Sequence, residues 1–265
     1  MNKGLNLLII VTTGVFLQSC VTYPLMQNTI NMPLADQSHE LSCSASYGGY
    51  GPGILASYTI DSNIVAMADF TGNFSKYVYN SADGFITDSI KLSNVYGEIA
   101  AGYYRKILLP RNKILRFEAL GGLGYGSFST RESSFNHDHG GEPLVYQNIN
   151  GTDINAFLQA DLIKATRHFD YGLGIQFKDA HFNESVHSYQ IDFPGSVYNA
   201  TLKGDLYLLQ PAFIANIHFN RFAIRFSTGF TYLINYRKFW EYELMNDPTS
   251  LYCCIGVNVK LFGKY

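Results

Sequence analysis

The chain has 265 residues, of which only 15% are charged and 15% are aromatic, and its formal net charge is −2. A typical soluble domain carries roughly 25% charged residues, so this composition argues against a surface fully adapted to water. The near-neutral balance excludes the broad basic face of a nucleic-acid binder, and 20 Tyr, 19 Phe and 24 Gly favour strands and tight turns over helices.

In chain order, the first element is a leader. Lys3 supplies a positive start, and Leu5 to Phe16 is an apolar run of signal-peptide length, too short to span a bilayer as a helix. Leu17-Gln18-Ser19-Cys20 follows and resembles a bacterial lipobox: an aliphatic residue three before the cysteine, a small residue before it, then the cysteine. The resemblance implies removal of residues 1–19 and a diacylglyceryl group on the Cys20 thiol; a plain signal peptide with an incidental cysteine is the alternative. Several acyl chains, at roughly 0.8 kcal/mol per buried CH₂, would make a stable anchor. Residues 20–38 then read as the lipidated cysteine and an irregular tether containing Pro24 and Pro33.

The remainder, residues 39–265, reads as one all-β domain. Ten segments alternate large apolar residues with small or polar ones, the period of a strand with two unlike faces; eight strands are the alternative. The segments fall near 40–47, 53–60, 64–75, 94–106, 115–125, 154–162, 169–177, 205–219, 222–234 and 251–262. The clearest places Phe222, Ile224, Phe226, Phe230, Tyr232 and Ile234 on one face and Ala223, Arg225, Ser227, Gly229 and Thr231 on the other. Pro211 interrupts the eighth segment; lacking an N–H, it predicts a bulge there.

The links alternate in length. Short ones occur at 61–63, 110–113, 165–168 and 220–221, and long ones near 76–93, 129–152, 178–204 and 236–250. The first link, Gly48 to Pro52, is short but falls on the long side. Short turns at one end and long loops at the other describe an up-and-down antiparallel barrel of the membrane type. An even strand count puts both termini at the short-turn, periplasmic end, where a lipid tether would attach, and sends the loops 129–152 and 178–204 to the cell exterior.

A soluble lipocalin-like barrel would face its apolar side inward around a ligand. Here the other face is rich in Gly and Ala and poor in Lys and Glu, unlike a water-exposed surface. The ranks of Phe, Leu and Ile would also overfill a ten-stranded interior. The apolar face is therefore assigned to lipid.

Three stretches carry a family resemblance: Tyr58-Thr59-Ile60-Asp61-Ser62-Asn63-Ile64, Tyr96-Gly97-Glu98-Ile99-Ala100-Ala101-Gly102-Tyr103-Tyr104 and Arg116-Phe117-Glu118-Ala119-Leu120-Gly121-Gly122. Over about residues 39–265 the chain resembles the bacterial outer-membrane β-barrel family, in the lipoprotein-signal form common in Bacteroidota. The last strand, with Gly256, Val259 and Leu261, partly resembles the signal read by the barrel-assembly machinery; Cys254 departs from it, and the chain runs on to Tyr265. The resemblance implies an envelope location, outer-membrane lipids and the barrel-assembly and lipoprotein-sorting machineries as partners, and a monomer. It implies no particular activity and no cofactor.

The inward face of such a barrel is predicted to hold Asp69, Glu98, Arg116, Glu118, Asp161, Gln176, Gln210, Arg225, Asn258 and Lys260. Arg116 and Glu118 share a face two residues apart, with Glu98 and Asp161 on the flanking strands, so Arg225 or Lys260 is expected to reach across and balance the acids. Buried charges must pair, and a closed polar plug is the leading reading, giving a structural or interaction barrel. A narrow channel for small solutes is the second. A rim-site lipid-modifying enzyme or protease is the third, on His137-Asp138-His139, His181 and His187; loop histidines are as readily just solvated, so no catalytic or metal residue is assigned. Cys43 falls in the first segment and Cys253 and Cys254 in the last; a cross-strand disulfide and small buried or lipid-facing side chains are both compatible with that placement.

Overall fold

A computed structural model describes residues 30–33, 38–48, 51–80, 86–110, 113–136, 143–166, 168–190, 197–219, 222–235 and 249–262. The leader, Cys20 and His137-Asp138-His139 lie outside the described residues.

Ten strands follow one another: β1 (Leu41–Gly48), β2 (Gly51–Thr59), β3 (Ile64–Asn80), β4 (Ile86–Leu109), β5 (Lys113–Asn136), β6 (Pro143–Ala165), β7 (Phe169–Gln190), β8 (Val197–Phe219), β9 (Phe222–Leu233) and β10 (Thr249–Phe262). Each pairs antiparallel with its chain neighbours, and β1 pairs with β10 to close the barrel. The fold is thus an up-and-down antiparallel ten-stranded β-barrel. Closure leaves no sheet edge in the band that all ten strands share; above it, β3 beyond Thr71 and β8 before Leu208 pair in the ladder with one neighbouring strand only.

The segments between β3 and β8 read as long loops are largely strand. β4 and β5 stay paired from Leu109 with Lys113 to Ile86 with Asn136, and β7 and β8 from Phe169 with Ile217 to Tyr189 with Val197. A 24-residue strand runs about 80 Å at ~3.4 Å per residue, far beyond the 9–11 residues that cross a bilayer. These hairpins therefore rise well above the part of the barrel that carries the apolar alternation.

The expected bulge at Pro211 is absent. Pairing of β8 with β9 lapses across Gln210 and Pro211 and resumes in unchanged register, from Leu209 with Tyr232 to Ala212 with Gly229. Proline removes the donor without adding a residue, so the ladder is interrupted but not shifted.

The polarity of the wall is the reverse of a soluble protein's. Ile99, Ile154, Leu158 and Leu173 point outward and are each more than 60% exposed, whereas Glu118, Asp161, Gln176 and Gln210 point inward and are 1% exposed or less. The outward apolar run also has an upper limit. On β7 it goes from Phe169 through Tyr171, Leu173 and Ile175 to Phe177, then changes to Asp179, His181 and Asn183. On β6 it stops at Ile154 and continues as Thr152 and Asn150; on β5 it stops at Tyr125 and continues as Ser127, Ser129 and Arg131; on β8 it stops at Tyr207 and continues as Asp205 and Lys203. Aromatic rings mark both edges of this band. Phe177 stacks on Tyr207 at 6.3 Å at the upper edge, and Phe219 on Phe222 at 5.1 Å at the lower.

Candidate functional site

The candidate site is the lumen, and alternation of the strands builds it. Every second residue of a strand faces inward, so the apolar band outside requires a matching inner set, here polar.

At the short-turn end, Lys260 pairs with Glu40 at 3.1 Å. Arg116 pairs with Asp170 at 3.2 Å, and Asp170 also meets His218 at 2.9 Å. These groups line a hollow that Pro33 enters.

The middle of the lumen is crossed by the chain itself. Residues 30–33, part of the segment read as a tether, lie inside the barrel, with Ile30 and Met32 at most 2% exposed. The reason is local. Ile30 and Met32 are apolar and join Ile163, Ala212, Ile214, Tyr252 and Cys254 in one buried cluster. Their backbone polar groups find partners on the wall: the Met32 carbonyl accepts from Arg225 at 3.2 Å, and the Asn31 carbonyl accepts from Gln159 at 3.1 Å. The Asn31 amide donates to Asp69 at 2.9 Å. Gly174 makes room, since a Cβ there would collide with the Met32 methyl.

Above this lies a second polar layer. Lys178 pairs with Glu98 at 2.5 Å, both side chains being at most 2% exposed. The Tyr96 hydroxyl donates to Glu98 at 2.6 Å and accepts from Asn155 at 2.7 Å, and the Lys178 ammonium sits 5.0 Å from the Tyr96 ring centre. Higher again the inward face turns apolar, with Ala180, Phe182, Leu206, Leu208 and Leu233 in one cluster.

The ten residues predicted to face inward all do so, with Lys260 the most exposed of them. They are not brought together as one group. Glu98 belongs to Lys178, not to Arg116. Arg116 reaches Asp170, one strand beyond Asp161. Glu118 and Asp161 stand directly opposite each other across β5 and β6. Arg225 donates to the Met32 carbonyl and to Asn216, while Lys260 stays beside Glu40. Lys178 was missed because it lay in the segment 178–204 read as a loop, and Asp153 because it lay just before the segment 154–162 read as strand. The parity that runs Gly172, Gly174, Gln176 continues to Lys178 and was the available signal.

His181 bonds Asp205 at 2.7 Å, but both are largely exposed and stand on the outside of the wall, just above the apolar band. His187 lies in β7. Among the described residues, no group of three or more His, Cys, Asp or Glu could hold a metal ion. Among the described residues, Cys43, Cys253 and Cys254 are not joined in a disulfide. Cys43 faces Val259 and Cys254 faces Gly48, so Cys43 lies some six residues, about 20 Å, along β10 from Cys253; a disulfide at that separation is impossible.

No family model and no curated protein matches the chain. Some solved structures align with it at low identity. The outer membrane protease OmpT from Escherichia coli aligns with a TM-score of 0.48 and 10% identity, over 84% of this chain and 94% of that one. The translocator domain of autotransporter NalP from Neisseria meningitidis aligns at 0.44 and 9%, over 83% and 87%. CarO2 from Acinetobacter baumannii aligns at 0.34 and 11%, over 85% and 100%. The likeness is one of general form, and no activity follows from it.

Proposed function

We propose that the protein is a bacterial outer-membrane β-barrel lipoprotein with a closed lumen, serving as an envelope scaffold that carries long β-hairpins beyond the membrane. The observation that carries this reading is the outward apolar band, about one bilayer crossing wide, wrapped around a polar lumen that residues 30–33 enter. A band of that height with aromatic edges fits a hydrocarbon core of ~25 Å. A soluble barrel would leave these side chains in water at about 25 cal/mol for each Å². The filled lumen favours a scaffold over a channel: Met32 is fully buried and Arg225 holds its carbonyl. A rim-site enzyme gains no support from the His181–Asp205 pair, which faces away from the lumen. The reading includes lipidation at Cys20, with the barrel-assembly and lipoprotein-sorting machineries and outer-membrane lipids as partners.

Conductance in a planar bilayer tests the closed lumen. The full mature chain is expected to be silent, and a variant lacking residues 21–33 to conduct. Steady single-channel current from the full chain would instead establish the narrow-channel reading.

A further inference from the structure

The segment inside the lumen has a direction, and the direction decides where the N-terminus goes. Four contacts fix it. The Pro33 carbonyl accepts from Ser57 at 3.5 Å, two residues from the short-turn end of β2. Met32 is held by Arg225, three residues into β9. Asn31 meets Asp69, five residues into β3, and Gln159, six residues from the end of β6. The Ile30 N–H donates to the Tyr252 hydroxyl at 3.3 Å, ten residues from the short-turn end of β10. Each step toward the N-terminus is thus a step up the barrel, away from the short turns and from the start of β1.

From this we infer that the mature N-terminus leaves the barrel at the long-hairpin end, so that the chain is threaded through its own lumen. Two further observations support it. At its own level Met32 is fully buried among Ile163, Ile214, Tyr252 and Cys254 and occupies the space beside Gly174. A chain turning back toward the short turns would have to pass there. Above Ile30, beyond the Lys178–Glu98 layer, the inward face carries an apolar patch formed by Phe182, Leu206, Leu208 and Leu233, which suits the apolar stretch Tyr23-Pro24-Leu25-Met26 as its occupant. Length is sufficient: the ten residues from Cys20 to Ile30 extend to at most ~33–36 Å. Given the lipidation proposed above, the acyl chains on Cys20 would then enter the outer leaflet, opposite to the periplasmic anchorage expected from an even strand count alone.

The test compares three epitope insertions in the full chain on intact cells: after Thr22, after Gly140 in the β5–β6 connection (the hairpin tag), and within the short turn 61–63. The Thr22 tag is expected to label to within twofold of the hairpin tag, with the turn tag labelled only after permeabilisation. A Thr22 tag that follows the turn tag overturns the inference while leaving the membrane barrel intact. Failure of the barrel reading is separately visible, as a hairpin tag that is itself inaccessible or a chain that carbonate releases from membranes. A photo-crosslinker at Asn28 in the detergent-purified chain decides the path without reference to the membrane. Adducts on the peptide holding Leu206 or the one holding Phe182 are expected; adducts confined to residues of the short-turn end overturn it.

Discussion

Individual charges inside this barrel are governed by pairing. Lys178 and Glu98 are buried together, and removing one member strands the other in a medium that cannot solvate it. Such a loss typically costs about 3–5 kcal/mol, whereas removing both costs far less. Lys178→Met is therefore expected to lower the temperature at which the folded barrel converts to its slow-migrating form on gels, and Glu98→Leu added to it to recover most of the loss. Unchanged heat resistance in Lys178→Met would mean that water reaches this pair. At Cys20 the expectation is chemical: the intact mass of detergent-extracted protein should start at Cys20 and carry the diacylglyceryl increment. A mature chain beginning elsewhere would remove the lipid anchor from the account.

At the scale of strands, the sequence was legible where one face meets lipid and the other does not. Phe169 to Phe177 alternates with Asp170, Gly172, Gly174 and Gln176, and the strand is read correctly there. Beyond Phe177 the outer face is wet, Asp179 and His181 replace the apolar residues, and the period-two signal stops although the strand continues to Gln190. The alternation therefore marks the lipid-facing band, not the strand. The same limit hid Lys178. The identities of the lumen residues were readable from parity, but their partners were not, because pairing depends on stagger between strands and on a segment, residues 30–33, that carries no strand signal at all. The upper parts of β4 to β8 pair with one another above the lipid-facing band, so the upper β5–β6 hairpin should be dispensable for insertion. Deleting residues 130–149 and closing Ser129 to Asn150, which are paired in the intact hairpin, through an Asn-Gly turn should leave a heat-modifiable barrel in the membrane fraction; loss of insertion would show that the hairpin is needed for assembly.

For the molecule as a whole, the proposed function joins two features: an outside that requires lipid and an inside closed by its own chain. The first is the more basic, since the closed lumen and the threaded N-terminus have functional meaning only if the band lies in a bilayer. Fluorescence quenching by brominated lipid tests it most directly, using single cysteines labelled in a background with Cys43, Cys253 and Cys254 replaced by alanine. A probe at Leu158, outward and 69% exposed, should be strongly quenched, while probes at Gln176 in the lumen and at Asp205 above the band should not. Absence of quenching at Leu158, or equal quenching at all three positions, would contradict a barrel that turns its apolar face to lipid.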